Sequence, residues 1–489
     1  MRQKLKELTK DTAIYGISTM LGRFIGFLLV PFYTNVLSTS EFGIQSNIYA
    51  YIAFINVIFI YGIDAAYMKY ASLAENSEHK KVFSTSYSFL VFTTIIFSLI
   101  LFIFRNQISA IMEIPEQYLK IYYYLILIIA FDAIAIVPFS KLRLERKAIK
   151  YAVIKLLNIL INLSLNLILI LKYKLGIEAI FISNLVATLF SFLALQSEVL
   201  KNFSFYFDKE LLKKILKFGI PYLPAALAAT IVNVVDRPVV LALTNESTLG
   251  IYQANYKLGV FMMLFVSMFQ FAWQPFFLNN AKEKNAKEIF SKVFTLFLLA
   301  SSIIWLVLTL FVDDFARIEF YKNKSIIGKE FLSGLPIVPL VLLGYLFNGV
   351  YYVFQAGIYI EEKTKYFPIV TFAGAIVNVI VNILLIPIFG IMGAAFATFA
   401  AYFVMAVSLY FFSQKFYPIN YEFKKVGIIL ILVFTSCAAY YYIYFNFGIN
   451  ILFKIIMLII FFSTLYFSKV VDKNEIVSFI RLFIKKNKP

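Results

Sequence analysis

The chain has 489 residues, of which 61% are hydrophobic and 15% charged, with a mean hydropathy of +0.83. That composition belongs to polytopic membrane proteins, and no polar stretch is long enough for a soluble catalytic domain. One cysteine, Cys437, and one histidine, His79, exclude a disulfide framework and a His/Cys metal cluster. A formal net charge of +18 would suggest nucleic acid in a soluble protein; here it reads as a topology signal, with no nucleic-acid partner and no cofactor expected.

In chain order, apolar runs predict spans at 12–36, 42–66, 83–104, 118–139, 149–171, 176–196, 215–243, 249–277, 292–312, 332–354, 367–388, 391–413, 426–445 and 449–468, about fourteen in all. The first run is too long for a signal peptide, contains Arg23 and lacks a small-residue cleavage pattern. Alternate connections are basic. Arg2, Lys4, Lys6 and Lys10 precede the first span, Lys141, Arg143, Arg146, Lys147 and Lys150 follow the fourth, and Lys473, Arg481, Lys485, Lys486 and Lys488 close the chain. The loops 37–41, 244–250 and 446–448 carry no Lys or Arg, and in 313–331 acids offset the bases. About 32 basic residues fall on one side and about 8 on the other, which predicts a multi-pass protein with both termini cytoplasmic.

One pattern occurs twice. Tyr15-Gly16-Ile17 opens a span that leads to Ser38-Thr39-Ser40-Glu41-Phe42-Gly43-Ile44; Phe218-Gly219-Ile220 opens another that leads to Asn245-Glu246-Ser247-Thr248-Leu249-Gly250-Ile251. At a similar offset of roughly 200 residues, Asn162-x-x-x-Asn166 and Gly176-Ile177 return as Asn378-x-x-x-Asn382 and Gly390-Ile391. The copies begin about six spans apart, an even number, so both enter the membrane from the same side as parallel repeats. The expected fold is an all-α bundle of two parallel six-helix repeats plus two C-terminal helices. Residues 1–196 form the first lobe, 197–214 a cytoplasmic linker that includes an amphipathic helix, 215–413 the second lobe, and 414–489 the appended pair and basic tail.

Ionisable groups inside spans cost about 2.5–3.5 kcal/mol each, so they need a partner, a cavity or a role. Arg23, Asp64, Asp132, Asp236, Arg237 and Lys257 qualify. Asp236 and Lys257 share a depth and could form a structural pair. Arg23 and Arg237 would still leave net positive charge, which suits an anion, and an arginine fork suits phosphate. Asp64, Asp132 and Asp236 are candidates for ion coupling or structural pairing. Asn158, Asn162, Asn166, Asn378 and Asn382 fall on helix faces as sugar contacts or interhelical glue. Lys155 and Lys454 are expected to snorkel. No Walker-type phosphate loop occurs.

Tyr15-Gly16-Ile17 to Phe42-Gly43, Tyr61-Gly62-Ile63-Asp64, Phe218-Gly219-Ile220-Pro221, Asp236-Arg237, Leu249-Gly250-Ile251-Tyr252, Lys257 and Phe271-Ala272-Trp273-Gln274-Pro275-Phe276 together resemble the polysaccharide (Wzx-type) flippases of the multidrug/oligosaccharidyl-lipid/polysaccharide superfamily. The resemblance covers most of the first twelve spans. It implies two six-helix lobes in a MATE-like V around a cationic cavity, working by alternating access in the bacterial cytoplasmic (inner) membrane. The implied cargo is an undecaprenyl-diphosphate-linked oligosaccharide for surface polysaccharide such as O-antigen, with Arg23, Arg237 and Lys257 on the diphosphate. Membrane lipids and polysaccharide polymerase or glycosyltransferase proteins are the implied partners. The rival readings are a lipid II flippase, a drug/cation antiporter, which needs an acidic cavity, and a membrane glycosyltransferase or polymerase, for which only Asp313-Asp314 could serve.

Overall fold

The computed structural model describes residues 22, 24–75, 78–321 and 324–470. Arg23 and the two terminal basic clusters lie outside the described residues. Among those described, twelve helices are long and apolar enough to cross a membrane, and Phe24–Thr34 and Ile451–Phe467 add two shorter apolar helices. Together they match the number of spans expected from hydropathy.

The elements run α1 (Phe24–Thr34), α2 (Thr39–Ile60), α3 (Ile63–Leu73), α4 (His79–Ile103), α5 (Arg105–Ile111), α6 (Leu119–Leu144), α7 (Ala148–Leu171), α8 (Glu178–Asn202), α9 (Lys209–Gly219), α10 (Tyr222–Val234) and α11 (Asp236–Leu243). They continue as α12 (Glu246–Tyr256), α13 (Val260–Asn280), α14 (Ala286–Arg317), α15 (Val338–Ile360), α16 (Tyr366–Phe389), α17 (Ile391–Phe416), α18 (Phe423–Asn446) and α19 (Ile451–Phe467). One small departure from an all-helical chain is a hairpin of Glu319–Tyr321 with Lys324–Ser325, followed by a 3-10 helix at Lys329–Ile337.

The repeat is visible in the packing. In the first half α6 packs on α8, α7 on α8 and α4 on α6; in the second half α15 packs on α17, α16 on α17 and α14 on α15. The asparagine pairs repeat as well. Asn166 Nδ2 donates to the Asn162 carbonyl oxygen (2.8 Å) and Oδ1 (2.7 Å), and Asn382 Nδ2 donates to those of Asn378 (both 2.9 Å). In a bilayer, helices gain little from hydrophobic contrast, so such internal bonds and close small-residue contacts carry the association.

Several helices begin before the hydropathy signal does. α2 starts at Thr39 rather than 42 because Ser38 and Glu41 form a capping box. α12 starts at Glu246 rather than 249 because the Asn245 side chain accepts from the Thr248 amide at 2.8 Å. The expected spans 42–66, 215–243 and 249–277 are each interrupted. Tyr61 (φ 37°) and Gly62 (φ 76°) end α2 in the left-handed region and turn the chain into α3. Pro221 lacks the amide that would continue α9, a break at Val235 separates α10 from α11, and Lys257–Gly259 tightens into a 3-10 turn. The linker also differs from its expected course: α8 runs on to Asn202, and the amphipathic segment is α9, which packs against α3 and α4.

Candidate functional site

The two copies of the repeated motif touch. α2 and α12 cross at their N-terminal ends, where a Cβ on Gly43 would collide with the carbonyl oxygen of Glu246 and one on Gly250 with that of Thr39. Only glycine permits so close a backbone approach. Thr39 Oγ1 and Ser247 Oγ lie 2.7 Å apart, and Ser40 Oγ donates to Glu246 Oε2 at 2.5 Å. At the other, lysine-rich end of the same seam, Gly62 meets the Gly219 backbone and Lys69 Nζ sits 3.9 Å from the Phe218 ring centroid. Gly43 and Gly62 are nineteen positions apart, about 28 Å along a helix, so the halves touch at both ends of one long seam.

The candidate charges sit on the helix breaks of that seam. Asp64 is in the first turn of α3, just past Tyr61-Gly62. Asp236 opens α11, Arg237 follows it, and Lys257 lies in the 3-10 turn between α12 and α13. Breaks at such depth free backbone groups and open room for a ligand, which is why discontinuous helices mark binding sites in transporters.

Asp236 and Lys257 do not pair with each other. Asp236 is 3% exposed, and its Oδ2 accepts from the Tyr252 hydroxyl at 2.5 Å. Lys257 instead rests its Nζ 5.2 Å from the ring centroid of Phe42. Arg237 is half-buried, and its Nε has no hydrogen-bond partner among the described residues. The seam helices α2, α11 and α12 also bury unpartnered polar atoms at Gln45 Oε1, Asn47 Oδ1, Asp236 Oδ1, Gln253 Nε2 and Asn255 Oδ1. Such atoms are costly unless water or a ligand reaches them in another state.

The remaining candidates fall elsewhere. Asp132, half-buried on α6, faces Lys155 of α7 rather than any residue of the seam break. Lys155 is half-buried, with its Nζ 4.3 Å from the Phe139 ring centroid. Asn158 Nδ2 bonds to the Ala187 carbonyl (2.6 Å) and Ser191 Oγ (3.0 Å), tying α7 to α8. Asn166 also receives the Tyr33 hydroxyl at 3.0 Å, and Asn166, Asn378 and Asn382 are fully buried. Lys454 is engaged by a partner helix. It is buried, donates to Asp314 Oδ2 and so ties α19 to α14. Asp313 binds Arg317 at 3.0 Å, so both acids of the Asp313-Asp314 pair are engaged in ion pairs.

Hydropathy did not single out Thr39, Ser40, Glu246 and Ser247 as contacts between the halves. The signal was present in the repetition itself, since a motif copied about a two-fold axis is placed to meet its own copy.

A broken-helix bundle of two parallel repeats, closed by matching glycines, is the architecture of the multidrug/oligosaccharidyl-lipid/polysaccharide exporters. Residues 8–281, more than half of the chain, match the family model described as "Polysaccharide biosynthesis protein", and the chain belongs to that family of membrane flippases. An "Uncharacterized membrane protein" of Haemophilus influenzae is 23% identical over 354 residues, spanning 70% of this chain and 84% of that protein. The fold is similar to "Lipid II flippase MurJ, inward closed conformation", with a TM-score of 0.73 at 18% identity, covering 95% of this chain and 100% of the other. It is also similar to an inward-facing multidrug resistance MATE family transporter of the same superfamily, with a TM-score of 0.66 at 12% identity, covering 81% and 94%.

Proposed function

We propose that this protein carries undecaprenyl-diphosphate-linked oligosaccharide units from the inner to the outer leaflet of the bacterial cytoplasmic membrane, for surface polysaccharide such as O-antigen. The observation that carries the reading is the pair Arg237 and Lys257: two cations on helix breaks, neither in an ion pair among the described residues, between two contacts that close the seam. Asp236 lies beside Arg237, but Lys257 and Arg23 leave the cations in excess of it; net positive charge in a low-dielectric interior favours an anion, and a diphosphate supplies the charge density that an arginine fork and a lysine match. Arg23 is the third cation of this reading.

The lysine-rich side, with its excess of about 24 basic residues, is the cytoplasmic one, and both termini lie there. The halves 1–196 and 215–413 act as lobes. Parting the Gly62–Gly219 contact admits cargo from the cytoplasmic leaflet, and parting the Gly43–Gly250 contact releases it outside. Sugar and diphosphate travel through the seam while the lipid tail stays in the bilayer. Asp64, Asp132 and Asp236 are the acids available for coupling to an ion gradient. Polymerase or glycosyltransferase proteins act upstream and downstream of this step. A drug/cation antiporter would require a net acidic seam, whereas its breaks balance Asp64 and Asp236 with Arg237 and Lys257, and Arg23 adds a further cation in this reading. A polymerase would require Asp313-Asp314 to be available, and both are engaged in ion pairs.

The test is export in a flippase-deficient strain, with lipid-linked units followed on each leaflet. Units should reach the outer leaflet with the wild-type chain. Arg237→Ala or Arg23→Ala should cut export at least about tenfold, the loss of one charge-assisted contact, while the protein still inserts. Normal export by both variants would sink the cationic-seam mechanism.

A further inference from the structure

We propose that Arg143 and Lys155 form a second phosphate-binding subsite, inside the first half at its lysine-rich mouth and separate from the Arg237–Lys257 seam. Asp132, Phe139 and Arg143 are seven and four residues apart on α6, so they share one face. Lys155 reaches that face from α7, lies 4.3 Å from the Phe139 ring centroid and is within electrostatic range of both Asp132 and Arg143. Arg143 donates from Nη2 to Ser140 Oγ at 3.1 Å, while its Nε is buried with no partner among the described residues.

The acids of the adjoining turn are already committed. Glu145 binds Lys141 and Lys147 at 2.8 Å each, and the buried Glu198 binds Lys150 at 2.6 Å and Lys147 at 3.4 Å. Asp132 faces Lys155, and Arg143, about 16 Å further along α6, has no ion pair among the described residues, so the cluster keeps one positive charge without a counter-ion. Two half-buried like charges within electrostatic range of each other repel in a low dielectric, and an anion that reaches both relieves this. Arg143 presents a fork at the mouth, and Lys155 a point charge about 10 Å further in along α7. The aromatic floor of Phe139 suits a cation that must not be hydrated away. A phosphate entering from the lysine-rich side meets this subsite before it meets the seam.

The shared chemistry is a phosphate anion, supplied either by the diphosphate of the cargo or by the headgroup of an acidic phospholipid. The inference deepens the flippase reading by giving it an entry subsite, but its test needs no transport. Full-length protein in phosphatidylcholine nanodiscs is titrated with radiolabelled pyrophosphate. Two sites are expected. Arg143→Gln and Lys155→Gln should each weaken one of them about tenfold or more and leave the other intact, Lys155→Arg should retain it, and Arg237→Gln should remove only the second. Asp132→Asn should tighten the mouth subsite severalfold by removing the competing carboxylate, an effect that a merely structural role would not produce. If pyrophosphate fills only the seam, nanodiscs containing phosphatidylglycerol are compared by native mass spectrometry. Retention of an acidic lipid that is lost in Lys155→Gln and kept in Lys155→Arg assigns the subsite to a headgroup. Unchanged pyrophosphate and lipid binding in Arg143→Gln/Lys155→Gln overturns the proposal, whatever the export assay gives.

Discussion

The contact of Gly43 with Glu246 and of Gly250 with Thr39 makes a quantitative prediction. Gly43→Ala or Gly250→Ala places a methyl group against a backbone carbonyl on the facing helix. Neither carbonyl can swing aside as a flexible side chain would, so the helices must part, and overpacking of this kind costs typically 1–3 kcal/mol. The penalty falls only on the conformation in which α2 and α12 touch. At the upper end, about 2–3 kcal/mol, the population of that conformation relative to one opened at this end drops roughly 30- to 150-fold. Cys437 is the one native cysteine, so a Cys437→Ala background allows Thr39→Cys and Ser247→Cys to report the contact, because their hydroxyls lie 2.7 Å apart. Oxidation should cross-link this pair rapidly and block export until a reductant is added. Adding Gly250→Ala should slow cross-linking at least tenfold. Equal cross-linking rates with and without the alanine would refute the idea that the glycines hold the seam shut.

Other consequences follow from the ion pairs and amides. Asp314→Ala strands the buried Lys454 and should destabilise the protein by about 1–3 kcal/mol, less than a fully buried pair because Asp314 is mostly exposed, whereas adding Lys454→Met should recover most of that loss in thermal unfolding. The same double variant with Asp313→Ala should still export, and loss of export in that well-folded protein would revive a catalytic role for these acids. Asn382→Ala and Asn166→Ala should each cost about 0.5–1.5 kcal/mol with affinity for lipid-linked cargo unchanged; weaker binding at unaltered stability would instead mark a sugar contact. At the turn after α6, burial raises the carboxyl pKa of Glu145, but Lys141 and Lys147 outweigh it and hold the group below its ordinary value. A depressed carboxyl stabilises above its unfolded pKa of about 4.5 and loses that contribution as pH falls through the folded value. Unfolding of wild type and Glu145→Gln should therefore differ at neutral pH and converge in acid.

Much of this architecture was legible in the sequence because a bilayer makes it so. Backbone groups cannot go unpaired in hydrocarbon, so apolar runs of sufficient length are helices, and basic residues label the loops. The helix breaks were not legible from hydropathy, which is blind to local backbone chemistry. Tyr61-Gly62 and Phe218-Gly219-Ile220-Pro221 were visible as motifs, yet the apolar average runs straight across both. The side-chain partners were least legible. Lys155 and Lys454 lie near span ends and would ordinarily reach for water, but each lies against an aromatic ring and is drawn by a carboxylate. Asp236 hydrogen-bonds Tyr252, sixteen residues on and across a helical hairpin, and its charge acts on the adjacent Arg237, so Lys257 is left without an ion pair among the described residues. A tyrosine hydroxyl satisfies a carboxylate oxygen without drawing Lys257 into an ion pair. Gly43 with Gly250 and Gly62 with Gly219 close the two ends of the seam, and between them a hydroxyl, rather than a lysine, holds the buried Asp236. The positive charge on Lys257 that a diphosphate would need is left standing by that choice of partner.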